Sequence, residues 1–177
     1  PKRDAIESAT LETTRLFIHC QKVRRRDVKK RDADGAYLQS KLDKVRRPNQ
    51  LYAEIPWEMI PEGSPALSMK RPCFPVEASV YGVDDAGYSW DSHSRTNLES
   101  EGFHPYYDLS QSWYDHFPDG TDLSVLKPSG GEVSPELYPV DDGQLSQYVD
   151  DFLVGEDEGS GVFQKMLGAL LFKSRDD

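Results

Sequence analysis

The sequence predicts an α+β fold for a chain of 177 residues. Apolar residues recur at helical spacing in three separate segments, and short strand-like segments stand between them in no regular βαβ order. The chain has 13 Gly and 12 Pro with only 37% hydrophobic residues, so we expect a small core that is interrupted by loops. The length fits one domain or part of a larger one.

The N-terminal half begins with a predicted helix over residues 8–20, followed by a basic run over residues 22–31. Taken alone, this run is typical of a solvated loop or a nuclear-localisation-like tract. Residues 33–42 indicate a strand end that turns into a short helix, and residues 51–55 alternate as a strand. Prolines then mark a long irregular connection as far as residue 75.

The C-terminal half contains two further predicted helices. The first spans residues 84–103, and residues 145–154 predict two short strands around a pair of aspartates. The inward residues of the first helix are Ala86, Trp90 and Leu98. The last helix begins at Ser160 as N-cap. Its apolar face consists of Val162, Phe163, Met166, Leu167, Leu170 and Leu171.

Charge is unevenly distributed along the chain. The formal net charge is −10, but residues 1–50 hold 14 of the 21 basic and 7 of the 31 acidic residues. That segment carries +7 and the remainder carries −17. Because phosphate binding depends on Lys and Arg, only the N-terminal segment favours a nucleic-acid partner. The acidic remainder would repel one unless metal ions occupy some of its carboxylates.

The apolar and cysteine patterns bear on the compartment. No apolar run approaches the roughly 20 residues that span a bilayer, so no membrane partner is expected. Cys20 and Cys73 form no C-x-x-C pair, which favours a reducing compartment. We therefore expect an intracellular protein, in the cytoplasm or the nucleus.

The sequence Tyr148-Val149-Asp150-Asp151 is the sharpest chemical feature. Two adjacent carboxylates between apolar strands repel each other, and Asp disfavours strands. An acidic hairpin turn is one interpretation. The other is a divalent-metal site, because carboxylate oxygens suit Mg²⁺ and a pair of ions can activate an attacking oxygen. A metal site needs a further carboxylate from elsewhere in the chain.

Asp32 is the candidate for that carboxylate. It ends a predicted strand, and Gly35, Ala36 and Tyr37 follow it, with Gly35 allowing the backbone to approach a ligand. This segment could seat a nucleotide. The alternative interpretation is a turn with a solvated Asp and a core Tyr.

Together these segments resemble the copia-type retrotransposon reverse transcriptases. The pieces that carry the resemblance, in chain order, are residues 9–16, residues 32–38, residues 52–56, residues 79–82, Ala86 with Trp90, Gly102-Phe103 and residues 148–155. They correspond to the family's helix before its first catalytic Asp, the first catalytic motif, the following strand, S-L-Y-G, A-x-x-x-W, G-F and the Y-V-D-D block. The order over about 150 residues makes the resemblance specific.

The resemblance implies a right-hand polymerase palm, a small antiparallel sheet backed by helices, with partial fingers and no thumb. The chain would be a single incomplete reverse transcriptase domain over residues 1–177. Its palm core would be residues 9–38, 84–103 and 145–173, its fingers-like connection residues 39–83, and its variable insertion residues 104–144.

The resemblance also implies RNA-directed DNA polymerisation with two Mg²⁺ ions, or Mn²⁺ in their place. The implied catalytic and metal-binding residues are Asp32, Asp150 and Asp151. The implied nucleotide-binding residues are Gly35, Ala36 and Tyr37, with Tyr37 as the aromatic gate against a ribose 2′-hydroxyl. Partners would be dNTPs, an RNA or DNA template-primer, and the remaining polyprotein domains: thumb, ribonuclease H and integrase.

The basic run supplies the predicted nucleic-acid contacts. These residues are Arg24, Arg25, Arg26, Lys29 and Lys30. Asp85 and Tyr88 stand where the family commonly has Gln and Arg, which favours the alternative of a catalytically inactive relic or a passive nucleic-acid-binding fragment. An unrelated acidic metal-binding domain would account for Asp150 and Asp151 but not for the order of the motifs.

Overall fold

The computed structural model describes residues 10–42, 48–106, 113–126 and 139–173. Residue 9 and parts of the predicted ranges 39–83 and 104–144 therefore lie outside the described residues. The helices are α1 (Leu11–Val23), α2 (Ala36–Gln39), α3 (Ala86–Ser100) and α4 (Val162–Ala169). The strands are β1 (Asp27–Asp32), β2 (Tyr52–Glu54), β3 (Cys73–Pro75), β4 (Phe103–Pro105), β5 (Trp113–His116), β6 (Gly143–Tyr148) and β7 (Asp151–Glu156). The predicted α+β class is confirmed.

The chain divides into two compact units. One comprises Pro1–Ala36 and Ser94–Asp177, and the other is Tyr37–His93. The first unit contains a five-stranded antiparallel sheet in the order β1-β7-β6-β5-β4. The range 104–144 supplies β5, which pairs with both β4 and β6 and is thus an inner strand of the sheet.

One face of the sheet packs against α1. The Phe17 ring meets Trp113 edge-on, with the ring centroids 5.2 Å apart. Gln21 is fully buried over Gly155, where an added Cβ would lie 2.3 Å from the Gln21 Oε1 atom. Only a glycine at position 155 therefore lets the helix approach the strand this closely.

The opposite face packs against α4. Val162 lies so close to Gly143 that an added Cβ would come within 2.8 Å of its methyl groups. Of the predicted apolar stripe, Val162, Phe163, Met166 and Leu170 are buried. The assignment of Leu171 to this apolar face is wrong, because α4 ends at Ala169 and the Leu171 side chain is 70% exposed.

The start of α4 also differs from the sequence-based prediction. The N-cap is Gly161, with a left-handed φ of 74°, rather than Ser160. The carboxylate of Glu156 accepts a hydrogen bond from the Phe163 backbone N–H at 3.0 Å. The Glu156 side chain from β7 thus accepts from a backbone amide in the first turn of α4, whereas the sequence predicted that Ser160 would do so.

The other predicted elements are largely as expected. Helix α1 begins after Thr10, whose side chain accepts from the Thr13 N–H, and α3 buries Ala86, Trp90 and Leu98. The interpretation of the basic run as a loop is wrong for residues 27–32, which form β1, although the first four residues of this strand are exposed. In the described part of the chain, no helix is long and apolar enough to span a membrane.

The second unit is smaller and has short elements. Strands β2 and β3 pair in antiparallel fashion, and two 3₁₀ turns, Trp57–Met59 and Pro65–Ser68, lie between them. The Ser79 backbone N–H donates to the Ser40 carbonyl at 2.8 Å. The proline-rich connection predicted from the sequence is therefore mostly irregular but tied by backbone hydrogen bonds.

Candidate metal and nucleotide site

The hairpin between β6 and β7 presents the adjacent aspartates. Tyr148 pairs with Asp151, so Val149 and Asp150 form a two-residue loop. Val149 has a φ of 52°, which a β-branched residue rarely adopts. Hairpin loops of this length usually place Gly, Asn or Asp at such a position. The valine is therefore a strained residue beside the candidate carboxylates.

The third aspartate reaches this hairpin through β1. Asp32 pairs directly with Asp151, and directly opposed residues in neighbouring strands project to the same face of a sheet. The Ala33 N–H donates to the Asp150 carbonyl at 2.7 Å, which ties the end of β1 to the loop. The structure thus brings Asp32 together with the hairpin, on the face that α1 covers.

Two lysines hold these carboxylates. Lys30 Nζ lies 2.8 Å from Asp151 Oδ1, and Lys173 Nζ donates to Asp32 Oδ2. The hydrogen bond to Asp151 raises the pKa of Lys30, and the charges of Asp32 and Asp150 add to the effect. The hydrogen bond to Asp32 likewise raises the pKa of Lys173, with a further contribution from Asp150. Asp32 and Asp150 therefore act on both ammonium groups, and Asp151 acts on that of Lys30.

The donor set suits a hard divalent cation, since carboxylate oxygens are the preferred ligands of Mg²⁺. Whether these side chains are placed to share an ion is a different question from whether their chemistry suits one. Among the described residues, no three His, Cys, Asp or Glu side chains are grouped so that they could share a metal ion. The chemistry of Asp32, Asp150 and Asp151 fits the ion, while their present positions are set by lysine contacts.

A pocket of about 350 Å³ adjoins Asp151 on the same face of the sheet. Its lining consists of Leu11, Thr14, Lys30, Ser146, Tyr148, Asp151 and Leu153. Tyr148 and Leu11 are exposed, at 51% and 61%, so the pocket is open to solvent. The end of the sheet that carries the aspartates is thus accessible to a ligand.

The predicted nucleotide-binding residues follow β1. Gly35 adopts a φ of 53° and Ala36 is buried, and both belong to the first unit. Tyr37 belongs to the second unit, where its half-buried ring lies 4.6 Å from that of Tyr81. The left-handed turn at Gly35 agrees with the conformational freedom expected there, while the nucleotide-binding role stays a prediction.

Most of the predicted nucleic-acid-binding residues have intramolecular partners. Arg24 pairs with Asp141, Lys29 with Glu156 and Lys30 with Asp151. Arg25 is exposed, with a φ of 61° at the end of α1. The contribution of these side chains to nucleic-acid binding stays a prediction, and such a contact would compete with the ion pairs.

Arg26 differs from the other predicted nucleic-acid-binding residues because its side chain is buried, with only 4% exposed. Its guanidinium donates to both Asp141 and Asp157, at 2.5 and 2.7 Å. Burial would lower the pKa of Arg26, but these hydrogen bonds and charges outweigh burial and raise it. The side chain joins the end of α1 to the β5–β6 connection and to the residue after β7, which is a structural role.

Sequence reasoning missed Lys173 and the acidic partners of the arginines. Lys173 contacts Asp32 across 141 positions of sequence, and Arg26 contacts Asp141 across 115. No local pattern marks such pairs. A second buried network was also missed: the Gln21 amide donates to Gln144 at 2.7 Å, and the Gln144 amide donates to Asp115 at 2.7 Å.

Comparison of the chain with protein-family models, with curated proteins and with solved structures finds no match.

Proposed function

We propose that the chain is the palm, with part of the fingers, of a copia-type reverse transcriptase, an RNA-directed DNA polymerase. The observation that carries the proposal is the direct pairing of Asp32 with Asp151 beside the Asp150 loop. A polymerase of this kind needs carboxylates from two distant segments at one place, and unrelated acidic turns have no reason to meet. The strained Val149 supports it too, because such strain persists mainly at functional sites.

In the proposed reaction, Asp32 and Asp150 are the main metal ligands and Asp151 lies beside them. Mg²⁺ held by these residues would lower the pKa of a primer 3′-hydroxyl and would offset the negative charge of the pyrophosphate leaving group. The chain positions its carboxylates through the β1–β7 register and the hydrogen bond from Ala33 to the loop. The open pocket at Asp151 leaves room for the sugar of a bound nucleic acid beside these residues.

The other proposed contacts come from the segment after β1. The backbone of Gly35 and Ala36 faces the triphosphate, and Tyr37 excludes a 2′-hydroxyl by steric overlap. Template-primer, dNTPs and the remaining domains of a polyprotein are the proposed partners. The support for this segment is its position, since Ala33, which donates to the catalytic loop, lies two residues before Gly35.

A specific observation favours the alternative, a catalytically inactive relic. Asp32 and Asp151 are each neutralised by a lysine, and the candidate nucleic-acid contacts Arg24, Lys29 and Lys30 are engaged in ion pairs. A chain in this state could retain its fold without any metal. The two functions differ in whether the carboxylates still bind nucleotide through Mg²⁺.

The test is Mg²⁺-dependent binding of a fluorescent dNTP, followed by extension of a labelled primer on an RNA template. We expect the wild type to bind the dNTP only with Mg²⁺, and Asp32→Asn and Asp150→Asn to abolish binding. Asp122→Asn is the matched control, because Asp122 is exposed and an amide can still accept from the Ser124 N–H. Failure of the wild type to bind the dNTP in the presence of Mg²⁺ would favour the inactive relic, and binding unaffected by Asp32→Asn would overturn the proposal.

A further inference from the structure

We propose that Lys30 and Lys173 are built-in competitor cations, which determine how tightly the three aspartates bind a divalent metal. The inference rests on the proposed function, because it takes Asp32, Asp150 and Asp151 as the metal ligands. It accounts for the fact that their donor chemistry suits Mg²⁺ while no three acidic, His or Cys side chains of the described residues share a centre.

The backbone places both lysines at the site. Lys30 lies two residues before Asp32 in β1, so both side chains project to the same face, and Lys30 reaches across to Asp151 in β7. Lys173 arrives from the chain after α4. Its backbone N–H donates to the Asp32 carbonyl at 3.1 Å, and its side chain returns to the Asp32 carboxylate. Each of the two opposed aspartates thus has its own ammonium group.

An ammonium group and a metal ion compete for the same oxygens. Mg²⁺ holds carboxylate oxygens at about 2.0–2.1 Å and requires near-octahedral geometry, which an oxygen already committed to a lysine cannot satisfy freely. Positive charge close by also repels a divalent ion, and each lysine interacts electrostatically with Asp150 as well as with its partner. Metal binding therefore requires both lysines to move away.

The exposure of these pairs indicates how strong the competition is. The side chains of Lys30 and Lys173 are 60% and 51% exposed, and those of Asp151 and Asp32 are 39% and 34% exposed. Ion pairs exposed to this extent are weak, so a metal can displace them. Removal of either lysine is expected to tighten metal binding by about two- to tenfold, and removal of both by more.

The experiment measures Mn²⁺ binding to the full chain by the electron paramagnetic resonance signal of the free ion. Lys30→Met and Lys173→Met should each lower the dissociation constant, and the double variant should lower it further. The conservative changes Lys30→Arg and Lys173→Arg keep the competing charge and should leave the affinity at or below that of the wild type. Methionine keeps the apolar stem of lysine, so the fold should tolerate the change.

Lys29→Met is the matched control. Lys29 is the neighbour of Lys30 in the same strand, but it projects to the other face and pairs with Glu156 at 2.6 Å. Its loss changes net charge equally and should alter the affinity less than twofold. An equal gain in Lys29→Met would overturn the proposal, because net charge alone would then explain the effect.

The remaining outcomes separate this proposal from the proposed function. If Asp32→Asn abolishes Mn²⁺ binding while the lysine variants bind no tighter than the wild type, the competition is overturned and the metal site stands. If neither the wild type nor the double lysine variant binds Mn²⁺, both are overturned. A gain in the double variant that disappears when Asp32→Asn is added supports both.

Discussion

Asp32 and Asp151 stand directly opposite each other in adjacent antiparallel strands, with their carboxylates on one face of the sheet. Like charges in this position destabilise a strand pair. Here Lys173 and Lys30 each offset one of them. The fold therefore tolerates two opposed acids at the end of a sheet only where cations accompany them.

A divalent cation should stabilise the folded chain. Millimolar Mg²⁺ is expected to raise the thermal unfolding midpoint, because an ion that binds only the native state shifts unfolding by mass action. Each kcal/mol of binding should appear as about 2–4 °C in a chain of this size. Asp150→Asn should remove most of the shift, whereas Asp122→Asn should keep it. Identical midpoints with and without Mg²⁺ would contradict an organised metal site.

Replacement of the strained loop residue Val149 should increase the stability of the fold. Val149→Gly is expected to raise the free energy of unfolding by about 0.5–1 kcal/mol, because glycine adopts a positive φ without steric cost and this gain exceeds its added flexibility when unfolded. Urea denaturation measures the change. The control is Val28→Gly in β1, outside the positive-φ region, which should destabilise. If both variants lose stability to the same degree, Val149 is not strained.

Arg26 should matter more for folding than for nucleic-acid binding. Arg26→Ala leaves the buried Asp141 with Arg24 as its remaining cationic partner among the described residues, and we expect a loss of about 3 kcal/mol in the free energy of unfolding. Lys22→Ala, an exposed change in α1, should alter it by less than about 0.5 kcal/mol.

The pair Arg26→Met with Asp141→Leu provides a second measurement. Removing both charges together should recover part of the stability, because neither partner is then left buried and unpaired. A loss below 1 kcal/mol in Arg26→Ala would show that the ion pairs are weak in solution. The same urea experiment decides between the two outcomes.

The pH dependence of stability should contain a contribution from Glu156. Burial would raise its pKa, but hydrogen bonds from Lys29 and from the Phe163 N–H outweigh burial, so the pKa lies below its ordinary value of 4.5. A lowered carboxyl pKa stabilises the fold above the unfolded-state pKa, and this stabilisation is lost as the pH falls through the folded-state value. We therefore expect stability to decline as the pH falls below about 4.5.

Glu156→Gln isolates that contribution. The amide oxygen can still accept from the Phe163 N–H, but the side chain no longer titrates. The variant should be less stable than the wild type at pH 7 and should lose less stability on acidification. Urea unfolding at several pH values provides the comparison. Parallel curves for the two proteins would show that Glu156 contributes nothing to the acid response.

Tyr37 should affect the choice of sugar. In the proposed function, Tyr37→Ala opens the space for a 2′-hydroxyl, so the affinity for a ribonucleoside triphosphate should rise by at least about tenfold relative to the deoxy form. Competition against a fluorescent dNTP with Mg²⁺ measures the ratio. Tyr37→Phe keeps the ring and should leave the ratio unchanged. An unchanged ratio in Tyr37→Ala would assign the ring to packing against Tyr81 alone.

The parts of the fold that sequence could predict are those set by local pattern. The short apolar segments on either side of Asp150 and Asp151 were enough to predict the two strands of the hairpin, and the spacing of Ala86, Trp90 and Leu98 was enough for α3. A charged run gives no such information, because Lys and Arg suit a loop and an outer strand equally well. The position of β1 is decided by its pairing with β7.

The long-range contacts of the candidate site could not be predicted from local sequence patterns. Lys173 meets Asp32 because α4 returns the chain to the end of β1, where Phe172 forms an isolated bridge with Ala33. The burial of Arg26 likewise depends on acids that follow more than a hundred residues later. In both cases the stabilising contact joins two segments that are far apart in the sequence and that no local pattern connects.

Among the described residues, β1 is the outermost strand of the sheet on its side, and the part of its edge before Asp32 could otherwise recruit a strand from another molecule. It carries Lys29, Lys30 and Arg31 in succession. Charged side chains on an outer strand make such recruitment unfavourable, since a second copy would bring the same charges alongside. The basic run therefore also disfavours the edge-to-edge joining of separate chains, whatever its contribution to phosphate binding.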